Sequence, residues 1–181
     1  MSDDIAVVWG DGEAKTPLSA FDAALADAGI HNYNLVTYSS VVPPERSVTK
    51  VGEVEAPYEV GTPVGVVRAE RESTRPNETV AAGLGWIRAQ EGGVLMESDA
   101  GSAAAVRADL RAKLEDARRL RDWDWTGDPE LAVHEHTVDR TGAVVVAAVY
   151  GPLVAAREAT DGRRRRRDGR RGTEPPLDRG R

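Results

Sequence analysis

The sequence predicts one α+β domain built in layers, and three observations carry that expectation. Apolar runs of strand character outnumber helical patterns, each of the two helical patterns is apolar along one side only, and the elements follow as β-α-β, three further β runs, then α-β-β. A helix with a single apolar stripe must bury it against a neighbour, and with this many strands the neighbour is a sheet.

The first element is a short strand at Ile5 to Trp9, followed by Gly10-Asp11-Gly12-Glu13, which reads as a turn. Thr16-Pro17 then supplies an N-cap and a proline at the first helical position. Leu18, Phe21, Leu25 and Ala28 recur at helical spacing and Gly29 gives the stop, so a helix is expected over 16–28. Tyr33 to Tyr38 is the next strand. It ends at Val41-Val42-Pro43-Pro44, because proline has no N–H to give a ladder. Residues 45–59 read as acidic and irregular. Gly61 to Glu72 and Thr79 to Ala89 are β-rich and joined by the turn-like Ser73-Thr74-Arg75-Pro76-Asn77, and Gly93 to Glu97 is a short strand. Ser102 opens a second helix with the stripe Val106, Leu110, Leu114, Ala117 and Leu120. Arg118, Arg119 and Arg121 crowd its C-terminal end, where the helix dipole favours cations. Leu131 to Val138 and Ala143 to Tyr150 are expected to pair across Asp139-Arg140-Thr141-Gly142 as a hairpin.

Composition sets the limits. The 181 residues suit one domain with a tail: residues 1–156 as the domain, and 157–181, which lack apolar periodicity and carry five consecutive arginines at 163–167, as a disordered tail. The net charge of −6 divides into +5 on that tail and −11 on the rest. Three of the basic residues are lysine (Lys15, Lys50, Lys113) and the others arginine. An acid-rich, lysine-poor surface suits a very salty cytoplasm, where screening removes self-repulsion, so a halophilic source is expected. The absence of cysteine excludes disulfides, thiolate metal sites and cysteine nucleophiles. Asp3 and Asp4 without a basic n-region argue against a secretory signal. The apolar stretch Ala143 to Tyr150 is far short of the roughly 20 residues that cross a bilayer. A cytoplasmic chain with no membrane partner is expected. The tail's arginines suit only non-specific contact with nucleic acid, weakened by salt, so nucleic acid is not expected to be the domain's partner.

The informative segment is Asn34-Leu35-Val36-Thr37-Tyr38-Ser39-Ser40-Val41-Val42-Pro43-Pro44. A Ser-Ser pair by itself is a strand end with hydroxyl-bearing turn residues. This pair is followed by two valines and two prolines and preceded by the helix Thr16-Pro17-Leu18-Ser19-Ala20-Phe21-Asp22-Ala23-Ala24-Leu25. With Gly93-Val94-Leu95-Met96-Glu97, Glu135-His136-Thr137-Val138 and the closing apolar strand, the chain resembles the pyruvoyl-dependent arginine decarboxylases of archaea over about residues 5–150.

The resemblance implies a four-layer αββα sandwich and a homotrimer with active sites between subunits. It also implies that the Ser40 hydroxyl attacks the carbonyl carbon of Ser39, converting the amide to an ester. That shift is uphill and needs a strained backbone and a held oxyanion. β-Elimination then releases a β chain, residues 1–39, and leaves dehydroalanine, whose hydrolysis heads the α chain from residue 40 with a pyruvoyl group. This covalent cofactor takes the substrate amine as a Schiff base and serves as the electron sink, so that L-arginine becomes agmatine and CO2 and feeds polyamine synthesis. Residue by residue, Glu97 matches the glutamate that returns the proton. Asp22 matches the aspartate of a Phe-Asp pair that contacts the guanidinium, where a carboxylate can accept two parallel hydrogen bonds. Asn34 matches an asparagine beside the cleavage loop, placed to support processing and substrate. Leu25, one turn after Phe21, is expected in the core, with lining of the substrate pocket as the alternative.

Plainer readings stand beside these: a solvated helix aspartate, a strand-end glutamate in water, a strand-edge amide. His134 and His136 share one face of a strand, but a metal pair needs a third ligand and His31 is the only other histidine; a structural role and no metal are expected. Two rival functions are a pyruvoyl-dependent decarboxylase of another amino acid, such as histidine, and an unprocessed structural or regulatory subunit whose basic tail binds nucleic acid.

Overall fold

The chain folds into two stacked β-sheets with one helix on the outer face of each, giving layers in the order helix, sheet, sheet, helix. This computed structural model describes residues 4–54 and 58–152, so the tail expected from residue 157 lies outside it. The elements are β1 (Ile5–Glu13), α1 (Pro17–Asp27), β2 (Asn34–Thr37), β3 (Val41–Val42), β4 (Val48–Gly52), β5 (Pro63–Ser73), β6 (Thr79–Ala89), β7 (Gly92–Ala100), α2 (Ala103–Leu120), β8 (Trp125–Thr137) and β9 (Gly142–Pro152). The first sheet runs β2-β5-β9-β1-β4 and the second β3-β7-β6-β8.

Burial follows the layers. Between the sheets lie Val7, Val67, Val144 and Val146 from the first and Leu84, Trp86 and Leu95 from the second. Ala20, Ala24 and Leu25 seat α1 on Val8, Val145 and Ala147 of the first sheet. Val106 and Leu110 of α2 pack near Ala81, and Leu114 and Ala117 near Ile87 and Val94. Both helix starts fall where the sequence put them: Thr16 Oγ1 accepts from Ser19 N and Ser102 Oγ from Ala105 N, each at 3.2 Å.

Four expectations need correction. Gly10 to Glu13 is not a turn: β1 runs through it, paired with β9 as far as Glu13↔Gly142. Its glycines serve close helix-on-strand packing, since a Cβ at Gly10 would fall 2.4 Å from the Ala24 carbonyl oxygen and one at Gly12 2.6 Å from the Ala23 Cβ. Alanines seat α1 there, and Leu18, expected in its apolar stripe, is 76% exposed. Leu120, expected in the stripe of α2, is also exposed at the helix's last position. Within the stretch expected to be irregular, β4 forms parallel to β1; an edge strand with one neighbour and mostly exposed side chains carries no apolar alternation to betray it. Finally, β8 and β9 do not form a hairpin. Residues 139–141 carry the chain from one sheet to the other, where β9 lies between β5 and β1 with residues Gly142 through Tyr150 buried. A strand covered on both faces is apolar throughout, unlike the half-exposed β8.

Candidate active site

The stretch Tyr38–Ser40 is another crossing between the sheets. β2 runs parallel to β5 as far as Thr37↔Val66, and Tyr38 N still donates to the Val66 carbonyl at 2.8 Å. The chain then enters the second sheet as β3, antiparallel to β7 with Val41↔Val94. Pro43 and Pro44 end the pairing. Within the crossing, Ser40 has φ +57°, a left-handed conformation that costs a residue other than glycine about 1–3 kcal/mol. The surroundings hold it there. The carbonyls of Ser40, Val41, Pro43 and Pro44 accept hydrogen bonds from Leu95 N (2.8 Å), Tyr150 Oη (2.9 Å), Arg88 Nη1 (3.1 Å) and Arg88 Nη2 (2.9 Å). The Ser40 hydroxyl donates to Glu97 Oε1 at 2.6 Å.

Glu97 reaches Ser40 through the pleat of β7. Leu95 points into the core between the sheets, and two residues on Glu97 shares that face. Because β3 ends short of it, the Glu97 carbonyl has no strand neighbour on that side; Lys113 Nζ, from α2, donates to it at 2.8 Å. The same ammonium meets Asp109 at 2.6 Å, and Asp109 accepts from Ser98 Oγ at 2.6 Å. The hydrogen bond from Lys113, then that from Ser98, holds the Asp109 carboxyl below its ordinary range against the pull of desolvation. Glu97 and Lys113 line an open cavity of about 360 Å³ with Thr37, Arg68 and Glu70.

A hydroxyl hydrogen-bonded to a carboxylate, on a strained serine, next to a cavity, is an arrangement for activating that hydroxyl. The family model for pyruvoyl-dependent arginine decarboxylases matches residues 4–155. The chain belongs to the pyruvoyl-dependent arginine decarboxylase family. Relatives bearing that name include one from Halobacterium salinarum, 34% identical over 151 residues that cover 81% of this chain and 93% of the relative. One from Methanocaldococcus jannaschii is 31% identical over 149 residues, covering 80% and 87%. One from Methanococcus vannielii is 32% identical over 148 residues, covering 80% and 87%.

Of the site residues expected from the sequence, Ser40 and Glu97 meet directly. Ser39 is exposed beside them. Asn34, at the start of β2, donates through Nδ2 to the Gly61 carbonyl at 2.7 Å. Leu25 is 8% exposed in the core between α1 and the first sheet. Asp22 is exposed on α1 and has no hydrogen bond or ion pair among the described residues. Its neighbour Phe21 lines, with Thr16 and Leu18, a second cavity of about 810 Å³ that shares Glu70 and Asp99 with the first. Neither Asp22, Leu25 nor Asn34 hydrogen-bonds to the Ser40–Glu97 pair among the described residues. His134 and His136 face carboxylates of β1: His134 Nε2 lies 2.7 Å from Asp11 Oδ1 and His136 Nε2 2.8 Å from Glu13 Oε1.

Sequence reasoning missed Lys113, Arg88 and Tyr150. All three act on backbone carbonyls far away in the chain, contacts that leave no pattern of spacing. The one signal was that Lys113 is among only three lysines in an arginine-dominated chain.

Proposed function

We propose that this chain cuts itself between Ser39 and Ser40 and then decarboxylates L-arginine to agmatine and CO2. The observation that carries the reading is the 2.6 Å hydrogen bond from the strained Ser40 hydroxyl to Glu97. In the first step Glu97 takes the hydroxyl proton while Ser40 Oγ attacks the Ser39 carbonyl carbon. The proton passes to the leaving Ser40 nitrogen, and an ester replaces the amide. Loss of the Ser40 α-proton then expels the Ser39 carboxylate, giving a β chain of residues 1–39 and an α chain from 40. Hydrolysis of the remaining enamine releases ammonia.

The residues fit a covalent pyruvoyl group grown from Ser40. The Ser40 carbonyl, which would remain as its amide end, is held by Leu95 N–H on a segment pinned through Val41, Pro43 and Pro44, and the hydroxyl oxygen held by Glu97 is the one that would leave with the Ser39 carboxylate. That group supplies a ketone that takes up the substrate's α-amine and draws off the electron pair left by decarboxylation. Glu97 returns a proton to the substrate's α-carbon. Asp22 accepts the guanidinium, Leu25 supports the helix that carries Asp22 and borders the side chain of the substrate, and Asn34 ties down the strand leading to the cleavage loop.

We further propose a homotrimer with the active site between copies. Supporting it are an open cavity at the sheet edge, an exposed Asp22 that makes no hydrogen bond to the Ser40–Glu97 pair among the described residues, and Leu18 standing 76% exposed beside the second cavity. The acid-rich, lysine-poor composition supports a salty cytoplasm as the working medium; a melting temperature that rises with molar KCl supports this, and one that falls contradicts it. No helix among the described residues is long and apolar enough to cross a membrane.

The test is CO2 release from carboxyl-labelled amino acids. Release from arginine, with adduct formation trapped by borohydride only when arginine is present, supports the reading. Release from histidine or another amino acid in its place overturns the substrate assignment.

A further inference from the structure

Tyr150 touches the chain on both sides of the bond to be cut. It lies in β9, the central strand of the first sheet, and is 8% exposed. The ring of Tyr38, the residue before Ser39, packs edge-on against it with centroids 5.1 Å apart and planes at 69°. Its hydroxyl donates to the carbonyl of Val41, the residue after Ser40, at 2.9 Å. Tyr38 is wedged from the other side by β5: a Cβ on Gly65 would fall 2.4 Å from the Tyr38 ring, so only glycine leaves room. Tyr150 is itself fixed by Arg46, whose Nη1 donates to the Tyr150 carbonyl at 2.8 Å and whose guanidinium sits 5.7 Å from the ring centroid. Burial first, with Glu97 and Tyr38 adding to it and Arg46 opposing, pushes the phenol's pKa above its ordinary value. The hydroxyl therefore remains a donor through the working pH range.

We propose that Tyr150 is a positioning residue for self-cleavage. It grips Tyr38 and the Val41 carbonyl together and so keeps Ser40 left-handed, with its hydroxyl on Glu97. The inference rests on the processing reading above. A serine has no intrinsic preference for positive φ, and relaxation toward extended backbone would swing its side chain away from Glu97. Leu95 N fixes one peptide after Ser40, and the phenol fixes the next. With the ring contact to Tyr38, the four residues Tyr38 to Val41 are held at both ends.

The test follows maturation of freshly made chain by intact mass over time, in native protein, Tyr150→Phe and Tyr38→Phe. Tyr150→Phe keeps the ring and loses the donor. Cleavage should slow about tenfold, the order expected for one lost hydrogen bond, while Tyr38→Phe matures at the native rate. Hydroxylamine, which cleaves the Ser39–Ser40 ester but not the amide, should release less β chain from Tyr150→Phe. Native cleavage kinetics in Tyr150→Phe overturn the inference. So does slowed cleavage matched by an equal loss of thermal stability with an unchanged hydroxylamine-sensitive fraction. A trifluorotyrosine at position 150 guards against misfolding. It preserves shape and acidifies the phenol, so maturation should fall at alkaline pH where the native chain's does not, and a native pH profile overturns the inference. Native protein that never cleaves at Ser39–Ser40 overturns the processing reading itself, an outcome distinct from the others.

Discussion

Two glutamates sit at two places where the chain passes from one sheet to the other, and they are treated in opposite ways. At the β8–β9 crossing, the Glu13 carboxylate accepts from His136 and from the backbone N–H groups of Asp139, Arg140 and Thr141. Desolvation pushes its pKa up, but these hydrogen bonds together outweigh it and hold the group down at about 2. At the β2–β3 crossing, the Glu97 carboxylate has one hydrogen bond among the described residues, from the Ser40 hydroxyl, and opens on a cavity. A carboxylate whose acceptor sites are filled by backbone amides is a fastener. A carboxylate with one proton donor and open space is a reagent. The fold places the same residue type at both crossings, and the number of donors supplied decides which it becomes.

Substitutions can break this contrast, beginning with the most severe. Ser40→Ala removes the nucleophile and should leave a folded, uncleaved chain with no CO2 release from arginine; efficient cleavage of that variant would remove Ser40 from its role. Glu97→Gln should lower turnover per matured chain by about 10²–10⁴, the range for loss of a general acid, as read from steady-state rates corrected for the cleaved fraction. Near-native turnover would make Glu97 a fastener too. Lys113→Met should cost about tenfold in kcat with KM little changed, because the Glu97 backbone loses its edge partner without loss of a substrate contact. Lys113→Arg should not restore it: a planar guanidinium cannot place donors on the Glu97 carbonyl and Asp109 as one tetrahedral ammonium does. Glu13→Gln should leave turnover alone and lower the melting temperature by a few degrees at neutral pH. A pKa depressed in the folded state contributes stability above the unfolded value of 4.5 and loses it as pH falls toward about 2. The gap between native and Glu13→Gln melting curves should therefore be full at neutral pH and close across that window. A gap independent of pH would show that the carboxylate's charge is not what fastens the turn.

The sequence made local structure legible and long-range structure less so. Both helix starts could be read because Thr16-Pro17 and Ser102 cap their own helices within three residues. The end of β1 could not, because the reason for Gly10 and Gly12 is a helix whose approach is set by packing. The separation of β8 from β9 was hidden for a similar reason: a turn sequence does not say whether its two arms join one sheet or two. In the site, Ser39 and Ser40 stood out because they head a Ser-Ser-Val-Val-Pro-Pro segment that resembles the family, and Glu97 because it follows the apolar run Val94-Leu95-Met96. Tyr150 was silent, and Lys113 was marked only by being one of three lysines. Their hydrogen bonds go to the backbone of Val41 and Glu97, and any residue at those positions would offer the same carbonyl.

Intact-mass spectrometry of the purified native chain tests the central claim most directly. Scission between Ser39 and Ser40 is expected, giving a β chain with a free carboxylate at Ser39 and an α chain whose residue-40 terminus carries a ketone in place of an amine. A single uncleaved chain that still releases CO2 from arginine would contradict the account.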